Sequence, residues 1–192
     1  MIDTALIVQI FVLINPLSSL SFLIAAHNKG IDVKKLSLSA IITAFLIAVS
    51  IAFVGPYLFS IFGITLHSFR IAGGVILFLL ALDTIRSNKE KNDLAPGSLD
   101  SLVAILATPL LTGPATISFI TIKAYDMAIL PLIINISIAF FFVGIVFVIF
   151  SFSISKINTR LIEIVSKILG LFLTAMGIEM VVFGMKGMMG LN

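Results

Sequence analysis

The sequence predicts an all-α polytopic membrane protein: six transmembrane helices built as two inverted three-helix repeats, with spans one and four broken at mid-membrane. Three observations carry that prediction. Hydrophobic residues make up 60% of the 192 and charged residues only 11%, against roughly 25% charged in an ordinary soluble domain. Long charge-free runs recur at the length of about 20 residues that a helix needs to cross a bilayer. Short motifs of the first half of the chain also return in the second half.

A mean hydropathy of +1.25 excludes a soluble enzyme, a disordered chain and a nucleic-acid binder. The net charge of +3 is spread over several loops and forms no basic patch. With no Cys, disulfides, thiolate metal sites and a cysteine nucleophile are excluded. His27 and His67 are the only histidines, too few for a metal or proton-relay cluster, and both are expected to be solvated in or beside loops. No metal and no resident cofactor is expected, and no nucleic acid among the partners.

The spans follow in order. Residues 4–26 hold no Asp, Glu, Lys or Arg and form span one, which is too long, and lacks the basic start, for a cleaved signal peptide. Residues 36–69 are also charge-free, and Gly55-Pro56 is expected to end the helix of span two. Span three covers about 69–85. The stretch SNKEKNDLAPGSLD (87–100) is the hydrophilic loop. Residues 101–122 and 127–155 give spans four and five, and about 161–183 give span six. Runs such as AFFFVGIVFVIF (139–150) lack the alternation of a transmembrane barrel strand. The whole chain, 1–192, reads as one transmembrane domain: a first repeat over 1–86, a cytoplasmic loop over 87–98, and a second, inverted repeat over 99–192.

Orientation follows the basic residues. All but Arg70, Lys123 and Lys186 of the twelve Lys and Arg fall in or beside the connections after spans one, three and five. Both termini are therefore expected outside a cell membrane.

The internal match is specific in register. INPLSSLSFLI (14–24) in span one answers LTGPATISFIT (111–121) in span four. RIAGGVILFLLALD (70–83) in span three answers KILGLFLTAMGIEM (167–180) in span six, aligning Gly73 with Gly170. Each repeat crosses three times, an odd number, so the second copy must enter the membrane upside down. Inverted repeats of this kind place the binding site of secondary transporters where broken helices meet.

Two dipeptides supply the breaks. Pro16 and Pro114 each remove a backbone donor and clash with the preceding turn. Asn15, and Thr112 or Gly113, are suitable N-caps, and proline suits the first helical position. The second half-helices then present free N–H groups near Leu17–Ser19 and Ala115–Ile117. The first halves leave free carbonyls near Phe11–Ile14 and Thr108–Leu111. Such backbone belongs in a protein-enclosed cavity. A cavity with both kinds of end suits a zwitterion, and Ser18, Ser19, Ser21, Thr116 and Ser118 add small hydroxyls. The competing structural reading is that these prolines only kink their helices while Ser and Thr re-satisfy the backbone.

Asp83 and Glu179 are the acids inside spans. They lie about 21 Å and 27 Å along their helices, near an interface, and are candidates for ion coupling; pairing of Asp83 with Arg86 is the structural alternative. Gly170, Gly177 and Gly184 share one helix face and, with Gly73-Gly74, read as close-packing residues. Asn135 and Ser137 are expected to face inward.

The Asn-Pro-then-serines motif of span one, IAGGVILFLLALD in span three and the Thr-Gly-Pro-Ala motif of span four together resemble the MarC family of integral membrane proteins. The resemblance covers essentially the whole chain, length and six-span layout included. It implies transport of small neutral amino acids, glycine- or alanine-like, because the family includes archaeal members described as such transporters. Na+ or H+ would be the coupling ion. Three alternatives stand beside it: a membrane channel, an export protein for another small polar solute, and a non-transporting structural membrane protein. An intramembrane enzyme is not expected, since the chain has no G-x-S-x-G, no H-E-x-x-H and no close pair of membrane acids.

Overall fold

A computed structural model describes residues 2–86, 111–153 and 159–190, together with Val103 and Leu106. The described residues form seven α-helices and no strand: α1 (Thr4–Ile14), α2 (Pro16–Asn28), α3 (Val33–Phe62), α4 (Leu66–Arg86), α5 (Pro114–Asp126), α6 (Ile129–Ser153) and α7 (Thr159–Met188). Four are long and apolar enough to cross a bilayer: α3, α4, α6 and the stretch Arg160–Met188 of α7. The expected cytoplasmic loop and most of the first half of span four lie outside the described residues.

Local chemistry explains the helix boundaries. Asp3 caps α1 by accepting the Leu6 N–H at 3.1 Å, while its own N–H donates to Asn135 Oδ1 at 2.8 Å. The start of α1 is thus tied to α6, and Asn135 is fully buried, on the inward side. Asp32 caps α3 through the Lys34 and Lys35 N–H groups. Thr65 Oγ1 accepts the Ser68 N–H at 3.1 Å at the entry to α4.

One boundary corrects the sequence reading. Gly55-Pro56 does not end the second span: α3 runs through it to Phe62 and stops at Gly63, whose left-handed backbone (φ 62°) turns its N–H back to the Phe59 carbonyl. A proline in a transmembrane helix costs one hydrogen bond, and neighbouring helices can enclose the freed carbonyl. Here the other half of the dipeptide serves packing. A Cβ at Gly55 would fall 2.7 Å from Thr121 Oγ1 of α5.

Side-chain size sets the packing. Along α3, Ala40, Ala44, Ala48 and Ala52 recur every fourth residue and all are buried. α3 lies against both α5 and α6; on α6, Phe45 meets Phe140 edge-on at 5.6 Å and Ser37 meets Ser151 at 3.3 Å. The outer faces of α3, α6 and α7 carry Leu38, Phe53, Phe141, Phe152, Leu171 and similar residues in the open, as lipid contact requires.

The closest pair is α4 with α7. A Cβ on Gly74 would lie 2.6 Å from the Gly177 carbonyl oxygen, and one on Gly184 would lie 2.8 Å from the His67 carbonyl oxygen. The seven-residue glycine spacing of α7 therefore presses backbone against backbone. His67 departs from the solvated reading: it packs under Gly187, where a Cβ would overlap its ring, and its Nδ1 is buried without a partner.

This packing makes a test. Gly74→Ala forces backbone apart, and overpacking of that kind costs about 1–3 kcal/mol. A melt in detergent should show Tm falling by about 3–10 °C. Gly144→Ala, where nothing lies within 4 Å of the added methyl, should leave Tm unchanged or raise it, because alanine is the better helix former.

Candidate functional site

The break at Asn15 begins with backbone. Asn15 is the only non-glycine residue at positive φ among the described residues (φ 44°, ψ 62°). Its N–H closes α1 on the Phe11 and Val12 carbonyls at 3.2 and 3.1 Å. Pro16, buried, then opens α2 with φ suited to a first helical position. Asparagine tolerates the left-handed region better than most side chains, so one residue ends one helix and starts the next.

The side chain of Asn15 departs from the expected cap. It makes no capping bond to α2. Asn15 is 6% exposed, and its Oδ1 is buried with no hydrogen-bond partner. The left-handed backbone swings Cβ away from the N–H groups that an extended N-cap would reach. One turn on, Ser19 is 1% exposed, and its Oγ is also orphaned. A buried polar group without a partner costs about 1–3 kcal/mol, and two stand at the same helix start. The first N–H groups of α2 have no intrahelical acceptor either. The side chains of Ser18 and Ser21 lie outside the described residues.

The second break is built differently. Gly113 is extended (φ −67°, ψ 174°) and makes no side-chain cap, and Pro114 opens α5. Thr112 is fully buried, but its Oγ1 donates to the Ala44 carbonyl of α3 at 3.1 Å. It ties the break to α3 and is not free for a ligand. Pro114 is exposed, unlike Pro16, so the two prolines do not share one buried environment. Thr116 and Ser118 are buried. Ser118 lies against Gly73 of α4, where a Cβ would come within 2.7 Å of its own Cβ.

The two breaks share a core. Ile14 and Leu20 flank the first, Leu111 and Ala115 flank the second, and all four belong to one buried apolar cluster. α1 touches α5 directly. Chemically, this core holds donors at the start of α2, an uncommitted acceptor at Asn15 and a hydroxyl at Ser19. Such a set can hold a small group that both accepts and donates. Asp83, near the end of α4, and Glu179, on α7, are exposed and are not drawn into this buried cluster. No group of three or more metal-ligating side chains occurs among the described residues.

Residues that the sequence reading passed over also shape the site. Thr121, 2% exposed, bonds back to the Ile117 carbonyl at 2.8 Å and meets Gly55. Arg70 in the first turns of α4 pairs with Asp126 at the end of α5. Their signal was faint, because each pairs with a residue more than 50 positions away.

Comparison with known proteins places the chain. A UPF0056 membrane protein of Methanocaldococcus jannaschii is 29% identical over 198 residues, spanning 94% of this chain and 85% of its own. One from Pyrococcus abyssi is 28% identical, spanning 97% and 95%. Another, from Pyrococcus horikoshii, is 31% identical over 157 residues, spanning 78% and 76%. No solved structure matches. The family model described as MarC family integral membrane protein matches residues 3–189, and the chain belongs to that family.

Proposed function

We propose that the protein is a secondary transporter of small neutral amino acids, glycine- and alanine-like. In this reading it sits multi-pass in the cell membrane with both termini outside and uses Na+ or H+ as its coupling ion. One observation carries the reading: Asn15 Oδ1 and Ser19 Oγ are both buried and unpartnered at the start of α2. A carboxylate suits the N–H groups and positive dipole end of α2. An ammonium suits Asn15 Oδ1 and the carbonyl end of α1. A zwitterion therefore satisfies both halves of the break at once, and Ser19 serves either pole.

The packing supports an inverted repeat beneath the site. If residues 1–86 and 99–192 are inverted copies, spans one, two and three exchange with four, five and six. Contacts α3–α6 and α4–α7 then map onto themselves, α2–α7 maps onto α5–α4, and α2–α6 onto α5–α3. Each of these pairs is in contact.

Uptake of labelled glycine and alanine into proteoliposomes, with Na+ and H+ gradients imposed separately, tests the reading. Lysine and glutamate should compete at least about 100-fold more weakly, because burying an extra charge without a partner costs several kcal/mol. Equal competition by either would overturn the zwitterion site. No uptake of any amino acid under either gradient would favour the structural alternative.

A second outcome concerns Asn15 itself. Glycine keeps the left-handed backbone, so Asn15→Gly should fold with its break intact. Saturating glycine should raise the Tm of the native protein by about 5–10 °C, and Asn15→Gly should lose that shift. Thr116→Val keeps shape and removes one hydroxyl, so it should weaken glycine binding about tenfold.

A further inference from the structure

α5 differs from the other helices of the core in how it is held. It is a 13-residue rod between two non-helical joints, extended Gly113 before it and extended Met127 after it. Its main neighbours are α3 and α4. Its contacts with them fall at successive levels. Near its start, Ser118 fits against Gly73; a turn further, Thr121 fits against Gly55. At its end Asp126 pairs with Arg70, side chains 35% and 20% exposed. Phe59 of α3 touches Phe69 of α4 at 4.9 Å and Tyr125 of α5 at 5.9 Å, so an aromatic cluster joins the same three helices beside that pair.

The two inner contacts are glycine against small side chains. They give close fit at these two points, while Phe119, Ile120 and Ile122 of the same helix are buried beside them. The outer contact is directional and charged, yet partly solvated, and so reversible. The chain thus carries a closely fitted seat for α5 and a polar fastening at its end.

We propose that Arg70 and Asp126 are positioning residues that latch α5 against α3 and α4. The latch keeps Thr116 and Ser118 in the binding core, and its release opens the core toward the membrane face that carries Arg70. The role assigned to the opening rests on the transporter reading; the latch itself does not. Asp126 reaches α4 only while α5 lies in its seat, so pairing and seating are one event. Freed of the pair, α5 turns on its two joints, and Thr121 leaves Gly55.

The sequence offers a clean probe, because it has no native Cys. Thr121→Cys puts a single thiol at the buried seat, and Ala139→Cys, fully buried on α6, serves as a control. Reconstituted protein is treated with a membrane-impermeant maleimide, and the labelling rate is read by mass. Adding Asp126→Asn should speed labelling at position 121 about fivefold and leave position 139 slow. The charge-swapped pair, Arg70→Asp with Asp126→Arg, should return position 121 to the slow rate. Where Asp126→Asn fails to fold, Arg70→Gln replaces it and carries the same expectation.

Unchanged labelling at position 121 without the pair would overturn the latch. So would equal acceleration at both positions, which would mean general loosening, and so would failure of the swapped pair to restore the slow rate. The labelling needs no substrate, so lack of glycine uptake would sink the transporter reading while leaving this result intact.

Discussion

Inside a bilayer no water is available to take up a freed N–H or carbonyl, and this constraint organises the molecule around Asn15. A helix that stops and restarts there leaves open hydrogen-bonding groups that lipid cannot satisfy. The break must therefore be enclosed by protein. Asn15, Pro16 and Ser19 are all buried, with the apolar cluster of Ile14, Leu20, Leu111 and Ala115 around them. Asparagine makes the sharp turn at modest backbone strain, but the same geometry withholds its Oδ1 from capping. The turn and the open acceptor are two results of one left-handed residue. A residue that capped α2 in the ordinary extended conformation would spend that acceptor on the helix start.

Enclosure in turn depends on how closely helices can approach. Without a hydrophobic force between helices in lipid, packing relies on small residues that let backbones meet. The chain uses this device on two faces. The α4–α7 contact brings Gly74 and Gly177 backbone against backbone, and α3, with its buried alanine row, packs on α6. These pairs form the walls. The glycines facing α5, Gly55 and Gly73, belong to a different design: each receives a short polar side chain, Thr121 or Ser118. The walls meet backbone to backbone, whereas the seat of α5 ends in a partly exposed ion pair.

The breaks are alike in sequence and unlike in structure. At the first, polar groups are buried and uncommitted; at the second, Thr112 is spent on the Ala44 carbonyl and Pro114 is exposed. If the repeats are inverted copies, this asymmetry is expected of any single conformation. A transporter built from two like halves faces one side of the membrane at a time, so its halves cannot be in identical states.

The sequence by itself determined what short-range chemistry dictates. Charge-free runs marked α3 and α6, and apolar stretches with few charges marked α4 and α7, as long apolar helices, because bilayer thickness demands such a length. Asn15-Pro16 and Gly113-Pro114 announced helix starts, because proline lacks an N–H, and the seven-residue glycine spacing of α7 announced a packing face. The family was legible from motifs lying at their proper positions. Only the tertiary structure decided which partners those residues meet. Gly55-Pro56 reads as a helix end, yet α3 continues, because Gly55 faces Thr121 and the helix end falls to Gly63. Thr112 reads as a helix N-cap until Ala44 arrives from 68 positions away. Asp83 and Glu179 stand out as intramembrane acids in the sequence, whereas the pairing of Arg70 with Asp126, 56 positions apart, becomes visible only in the fold. Propensity and periodicity act within a turn or two, whereas satisfaction of a polar group is settled by whatever the fold brings beside it.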